Sequence, residues 1–306
     1  VFWSLFLLAA VSVCILGALI FAVLRGSLEQ QFVARYQTLT RITGDTLVQL
    51  EEATERVSRT AVKHLYELDR EHGLPSEDAL KALKAPLNVD LIYIADQNGK
   101  FVRGTEETPD KRPKSLFMFC DGYRDLLNGH SPIEITPILP SYNPAAPYKF
   151  LMIPNATHTR ILEVGIQLSF ISKVLGKALQ ADTGLSSIGL YSPNGYNMAS
   201  LQRDNLNIRP PSQELLDIEP GHYSLQGDKA VFVEKVPASV ETCCECVMKK
   251  VVRPGEKYFY LLRTEASTAQ LNQSLRATLR TLSIFLFLAL VCALFFARLL
   301  AGRLGD

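Results

Sequence analysis

The residues with the most chemical potential outside the apolar ends of this chain are four cysteines, Cys120, Cys243, Cys244 and Cys246. Three of them fall in one stretch, ETCCECVMKK, from Glu241 to Lys250. On a strand, Cys244 and Cys246 would share one face and Cys243 would take the other, because successive side chains alternate. A thiolate pair at that spacing, with Glu245 and Met248 beside it, could hold a soft metal or run a redox couple. The paired CxxC spacing of a zinc site is absent. In an oxidising compartment the same thiols would close structural disulfides, and a bridge from Cys120 would tie distant parts of the chain together. Three readings of the cluster therefore stand: disulfide, metal or redox site, and unpaired thiols. The two remaining cysteines, Cys14 and Cys292, lie in apolar runs and are expected to be inert small hydrophobes.

Catalytic apparatus is hard to find. The five histidines, His64, His72, His130, His158 and His222, are scattered, with no HExxH arrangement. There is no GxSxG elbow, no phosphate-binding glycine loop and no dinucleotide fingerprint, so no cofactor is expected. A membrane-anchored extracellular enzyme remains a formal alternative that the residues do little to support. The formal net charge of +1 over 306 residues gives no electrostatic footprint for nucleic acid.

The elements that must position any site are set by hydropathy. Residues 1–24 carry no charge until Arg25 and are long enough to cross a bilayer as a helix. A signal peptide has a shorter apolar core and a small-residue cleavage site, so a true span is expected. A second apolar run centres on Leu282–Ala297. From Ser27 to His72 the sequence is polar, rich in helix formers and free of proline, and Gly73 with Pro75 marks its stop. That segment predicts one stalk helix, roughly 70 Å long at 1.5 Å per residue. Tyr36, Leu39, Leu50, Ala53 and Val57 follow steps compatible with a 3.5-residue repeat, interrupted by Thr43, Thr46, Thr60 and Gly44. The pattern predicts one buried side and a contact with a second copy of the chain.

Beyond a short helix over residues 75–86 the period changes from 3.6 to 2. Val89–Asp96 reads as a strand, Gln97-Asn98-Gly99 as a turn and Lys100–Gly104 as the return. About ninety residues later Ser187–Ser192, the turn at Pro193-Asn194-Gly195 and Tyr196–Ala199 repeat the signal. The first hairpin is followed by a variable stretch, then strands at Ile133–Ile138, Phe150–Ile153 and Ile161–Leu168, and a helix at Ser169–Gln180. The second is followed by strands at Lys229–Val236, Val247–Arg253 and Tyr258–Thr264, and a helix at Ser267–Arg280. Recurrence of the whole order within one chain predicts an internal duplication.

This order, with LIYIADQNGK, SIGLYSPNGY and VGIQLSF at corresponding places, resembles the double Cache sensor domain, a PAS-like tandem of bacterial transmembrane receptors. The closing ARLLAGRLGD is similar to the start of a HAMP linker. The resemblance implies an α+β fold: a long N-terminal stalk helix with two Cache antiparallel-sheet modules, flanked by two transmembrane helices. The expected boundaries are a first span at 1–25, stalk at 26–74, membrane-distal module at 75–180, membrane-proximal module at 181–266, exit helix at 267–280, second span at 281–299 and a HAMP-like linker from 300 to 306. It also implies a homodimer in a bacterial inner membrane, crossing twice, with residues 26–280 outside the cytoplasm. The basic residues flanking the two runs nearly cancel and do not orient the chain by themselves. A chain opening on Val1 and stopping just past the second run is expected to be an excerpt, its kinase, cyclase or chemotaxis output lying beyond Asp306.

In the family a small molecule binds the first module, between the sheet and the variable segment. Its amino-acid-binding members hold the amine with an Asp on the last strand, where this chain has Gln167. An amide cannot supply that charge, which points away from amino acids. Tyr93, Arg112, Tyr123, Arg124, Tyr142 and Tyr148 are the remaining candidates. Arginine offers a fork for a carboxylate or phosphate and tyrosine an amphipathic wall, so a small organic anion is the expected ligand. The alternative is a redox or metal sensor using Cys243, Cys244 and Cys246.

Overall fold

The computed structural model describes residues 2–106, 115–119, 121–139, 147–203, 219–239 and 257–303. Within them the chain is α+β, with one long N-terminal helix, α1 (Phe2–His72), and two five-stranded sheets. No proline interrupts α1. It stops where Gly73 takes a φ of 73° and its N–H reaches back to the Asp69 carbonyl at 2.9 Å, a left-handed ending that glycine adopts without steric penalty. The next helix, α2 (Glu77–Leu87), starts at Ser76, whose hydroxyl accepts from the Ala79 N–H.

The first sheet contains β1 (Leu91–Asp96), β2 (Phe101–Gly104), β3 (Glu134–Ile135), β4 (Tyr148–Pro154) and β5 (Arg160–Gln167), in the order β2-β1-β5-β4-β3. Between β2 and β3 lies the short helix α3 (Arg124–Leu127), and α4 (Phe170–Ala181) follows β5. The second sheet has β6 (Leu185–Tyr191), β7 (Asn197–Gln202), β8 (Tyr223–Gln226), β9 (Lys229–Pro237) and β10 (Phe259–Ser267). Its order, β7-β6-β10-β9-β8, repeats that of the first sheet strand for strand. The last helix is α5 (Ala269–Arg303). Both Asn-Gly hairpins form. In the first, the Asp96 carboxylate accepts from the N–H groups of Asn98 and Lys100, and Gly99 has a φ of 74° with the Phe117 ring 2.5 Å from where a Cβ would stand. A side chain there would meet both strain and a clash. The expected strand at Val247–Arg253 lies outside the described residues, and β8 was not expected from the sequence.

The chain divides into two compact units, one comprising Leu39–Ser224 with Val231–Glu265 and the other comprising Val1–Thr38, Leu225–Ala230 and Ala266–Asp306. In the first, α1 meets both sheets. A Cβ on Gly44 would stand 3.0 Å from Val236 on β9, and Thr40 and Thr264 share a hydroxyl hydrogen bond of 2.7 Å. Further along, Ala61, Val62 and Leu65 pack on the first sheet. The helix ends in a fork from Arg160 Nε and Nη2 to Asp69, each 3.0 Å. The buried stripe therefore mixes polar and apolar residues, with Thr40, Thr43, Glu51, Thr54 and Ser58 in it beside Leu47, Ala61, Val62 and Leu65. Tyr36 is buried too, whereas Leu39, Leu50, Ala53 and Val57, expected to form the seam with it, are only half-buried. A 3.6-residue period, rather than 3.5, governs what α1 buries, because it packs against sheets rather than along another helix.

In the other unit the apolar parts of α1 and α5 approach closely at Gly17, where a Cβ would lie 2.7 Å from the Leu286 methyls. The Thr268 N–H donates to the Asp228 carbonyl at 2.9 Å, fastening the start of α5 to the β8–β9 turn. Both helices hold 18-residue stretches long and apolar enough to cross a membrane, with mean hydropathies of 2.9 and 2.5.

Candidate functional site

The first sheet is covered on both faces, which is why β1 reads as a nearly continuous apolar run. One face, with Ile92, Ile94, Leu151, Leu162 and Val164, packs on α1 and α2. The other carries Tyr93, Ala95, Phe101, Met152 and Ile161 and is covered by Leu116, Tyr123 and Leu126.

Across this second face runs one register row. Glu163 pairs directly with Tyr93 on one side and Met152 on the other, and Met152 pairs with Glu134. Direct cross-strand partners point to the same side, so both carboxyls face the covering segment together with Tyr93. Glu163 and Glu134 are 6% and 5% exposed, and in each the Oε2 atom has no hydrogen-bond partner among the described residues. Burial pushes the Glu163 carboxyl up to about 8, helped by the charge of Glu106. Burial does the same to Glu134, up to about 8, with Asp125 adding to it and a hydrogen bond involving Ser131 opposing it.

Of the residues expected to form the site, the structure brings several together. Tyr93 lies in the row, and Tyr123, 5% exposed, packs in the same cluster. Tyr148 pairs with Gln167, two pairs further along β4 and β5 on the same face, and its ring stacks on Phe150 at 5.9 Å. Burial and the charge of Asp90 push the Tyr148 hydroxyl pKa upward. Gln167 also borders a cleft of about 530 Å³ with Lys84, Asn88, Asp90 and Ser169, and its backbone N–H donates to Asp90 Oδ2 at 2.7 Å. Arg124 is exposed, and its guanidinium lies 4.1 Å from the centre of the Phe117 ring. Arg112, Tyr142, Cys120, Cys243, Cys244 and Cys246 lie outside the described residues. Cys14 and Cys292 are unpaired. No three metal-ligating side chains converge among the described residues.

Glu134 and Glu163 were missed by sequence reasoning. The signal was present: Glu163 interrupts Ile161–Gly165 at a position whose strand neighbours are all apolar, and a charge there must be either outward or functional.

Solved structures share this architecture. The extracellular domain of the histidine kinase vpHK1S-Z8 aligns over 83% of this chain and 96% of its own, with a TM-score of 0.52 and 15% identity. The domain of a sensory box/GGDEF family protein from Vibrio parahaemolyticus covers 79% of this chain and 98% of its own, at 0.52 and 14%. The ligand-binding domain of the Campylobacter jejuni chemoreceptor Tlp3, solved with L-valine, covers 81% and 97%, at 0.50 and 13%. The chain shares the fold of these extracellular and ligand-binding domains. At such identities the likeness is one of fold. No family model and no curated protein matches the sequence.

Proposed function

We propose that this chain is the ligand-sensing input region of a bacterial transmembrane receptor, a non-enzymatic module built as two Cache modules between two membrane spans. The observation that carries this reading is the joint presence of a Cache-like fold and two helices apolar enough to cross a membrane. A small molecule binds between the first sheet and the segment over Leu116, Tyr123 and Leu126. Binding favours one arrangement of the sheets over another and so moves α5, which continues from β10 after only Thr268. Such a shift requires different affinity for the two arrangements.

Residues 26–280 stand outside the cytoplasm, and the chain works as a homodimer. The half-buried or exposed positions Leu39, Ile42, Thr46, Leu50, Ala53 and Val57 recur at steps of three and four along α1 and supply a seam for the second copy. The test uses the full chain in lipid nanodiscs, screened against amines, amino acids and carboxylates for thermal stabilisation, followed by hydrogen exchange. A ligand that protects β1, β4 and β5 and alters exchange at Ala269–Arg280 supports the reading. Binding that leaves α5 unchanged refutes signalling through it. Disulfide crosslinking of paired cysteines at Leu50 and Val57 tests the dimer, and uniformly absent crosslinks in membranes refute it.

A further inference from the structure

We infer that this chain has a second ligand site, on the side of the first sheet that faces α1 and α2, and that it takes a neutral polyhydroxylated molecule such as a monosaccharide. It lies apart from the covered face on which the sensor reading places its ligand.

The site is the cleft of about 530 Å³ where α1, the end of α2 and the passage from β5 into α4 meet. Its volume falls within the range of about 300–1,000 Å³ usual for small-molecule sites. All of its lining residues are among the described ones and within one compact unit. Two local features build its wall. Asn88 ends α2 in the left-handed region, with a φ of 53°, and its N–H returns to the carbonyls of Ala85 and Lys84. That ending leaves the last turn of α2 on the cleft, with Lys84 and Asn88 both lining it. Asp90 is fastened to β5 twice. Its N–H donates to the Gly165 carbonyl at 3.0 Å, and its Oδ2 accepts from the Gln167 N–H at 2.7 Å. Across the passage into α4, Ser169 is exposed and its hydroxyl makes no capping bond to the helix that follows.

The chemistry of this wall selects the ligand. Lys84 and Asp90 supply one charge of each sign, so neither anions nor cations are favoured as a class. The side chains of Asn88, Gln167 and Ser169 can each donate and accept. A hydroxyl does the same, and a ring bearing several of them matches such a wall, whereas a carboxylate is opposed by Asp90 and an ammonium by Lys84. Val89, Ile166 and Phe170 give the cleft an apolar part for the C–H face of the ring. Position gives the site a role. Ser169 and Phe170 begin α4, and α4 packs on β6 and β7 of the second sheet. A molecule held against Thr54 of α1, the end of α2 and the start of α4 therefore acts on the connection between the two sheets.

The test is isothermal titration of the full chain in nanodiscs with D-glucose, D-galactose, D-ribose and myo-inositol, beside D-glucuronate, D-glucosamine and L-alanine as charged counterparts, followed by hydrogen exchange. At least one neutral compound is expected to bind and to protect Asn88–Asp90 and the first turn of α4. Lys84→Met should weaken it about 10-fold or more, as expected for loss of a charged hydrogen bond. Asn88→Gly, which the left-handed backbone accepts, should weaken it about 2- to 10-fold. Unchanged melting of the unliganded variants shows that they fold, and either variant alone suffices should the other melt lower. Binding by the charged compounds alone overturns the inference, as does binding indifferent to both substitutions. Protection of β1 and β4 in place of Asn88–Asp90 also overturns it, by placing the compound on the covered face, and so does a panel in which nothing binds. Each of these leaves the sensor reading standing, because that reading is tested by ligands of the covered face.

Discussion

Glu51 on α1 and Glu163 on β5 are both almost fully buried, at 2% and 6% exposure, and the protein treats them oppositely. Around Glu51 three donors converge. Lys149 Nζ lies 2.5 Å from Oε1, the Tyr260 hydroxyl donates to it at 3.0 Å, and the Ser239 N–H reaches Oε2 at 3.4 Å. Lys149 also donates to the Ser239 carbonyl, and Tyr260 accepts from the Ile138 N–H at 2.8 Å. Burial pushes the Glu51 carboxyl upward, while the charge of Lys149 and these hydrogen bonds pull it back. Around Glu163 the neighbours among the described residues include Tyr93, Met152 and the further carboxylate of Glu106. The first carboxyl ties α1 to β4 and β10. The second has a carboxyl oxygen without a hydrogen-bond partner among the described residues, and burial pushes its pKa up to about 8. A buried carboxyl met by donors and a cation fastens elements together, and one raised by burial and a neighbouring carboxylate stays protonated near neutral pH.

The largest effect that would break this contrast is at Lys149. Lys149→Met leaves Glu51 buried without its cation and should destabilise the chain by about 3–5 kcal/mol in urea unfolding. A loss below about 1 kcal/mol would mean that Glu51 is no more committed than Glu163. The double change Glu51→Met with Lys149→Met should recover most of that loss, since well-packed apolar replacement of a buried pair is often neutral. Less recovery than half would point to Tyr260 and Ser239 as the main dependants.

Gly44→Leu should cost about 1–3 kcal/mol by overpacking against Val236 and Leu262, without altering ligand binding on the first sheet. The pH profile sharpens the contrast further. With a folded value near 8 against an ordinary 4.5, Glu163 keeps a proton that the unfolded chain releases. Its contribution is fully present below about pH 4.5 and is lost as pH rises through 8. Unfolding at pH 5, 7 and 9 should therefore show falling stability, and Glu163→Gln should flatten that slope. An unchanged slope would return Glu163 to the ranks of ordinary carboxyls. The smallest effect is at the surface. Arg70→Gln, which removes an exposed pair with Glu71 at 3.6 Å, should change stability by no more than about 0.5 kcal/mol.

Much of the fold was legible in the residues. The unbroken polar helix up to Gly73, the two Asn-Gly hairpins and the apolar runs at either end are local signals, carried by propensity, turn chemistry and hydropathy. The strands β4, β5, β9 and β10 fell within a few residues of expectation. The site was less so. Tyr93, Tyr123, Tyr148 and Gln167 were named as candidates and share one sheet face or its cover, while Arg124, named with them, is at the surface. The seam on α1 was drawn through Tyr36, Leu39, Leu50, Ala53 and Val57; of these Tyr36 is buried, and Thr40, Thr43, Leu47 and Glu51 are buried on α1 as well. Gly44 was read as an interruption of that seam, and a Cβ there would stand only 3.0 Å from Val236 on β9.

What the sequence determined alone, then, was the succession of elements and the order in which strands and helices alternate, because each depends on residues within a few positions of one another. Which polar side chains are buried, and which of those are paired, depended on strands far apart in sequence lying side by side. Glu134, Met152, Glu163 and Tyr93 form a row only through the order β3-β4-β5-β1, and Glu51 finds Lys149 and Tyr260 only because α1 crosses both sheets. Counter-charge is a property of position in space, and the tertiary structure alone assigns it.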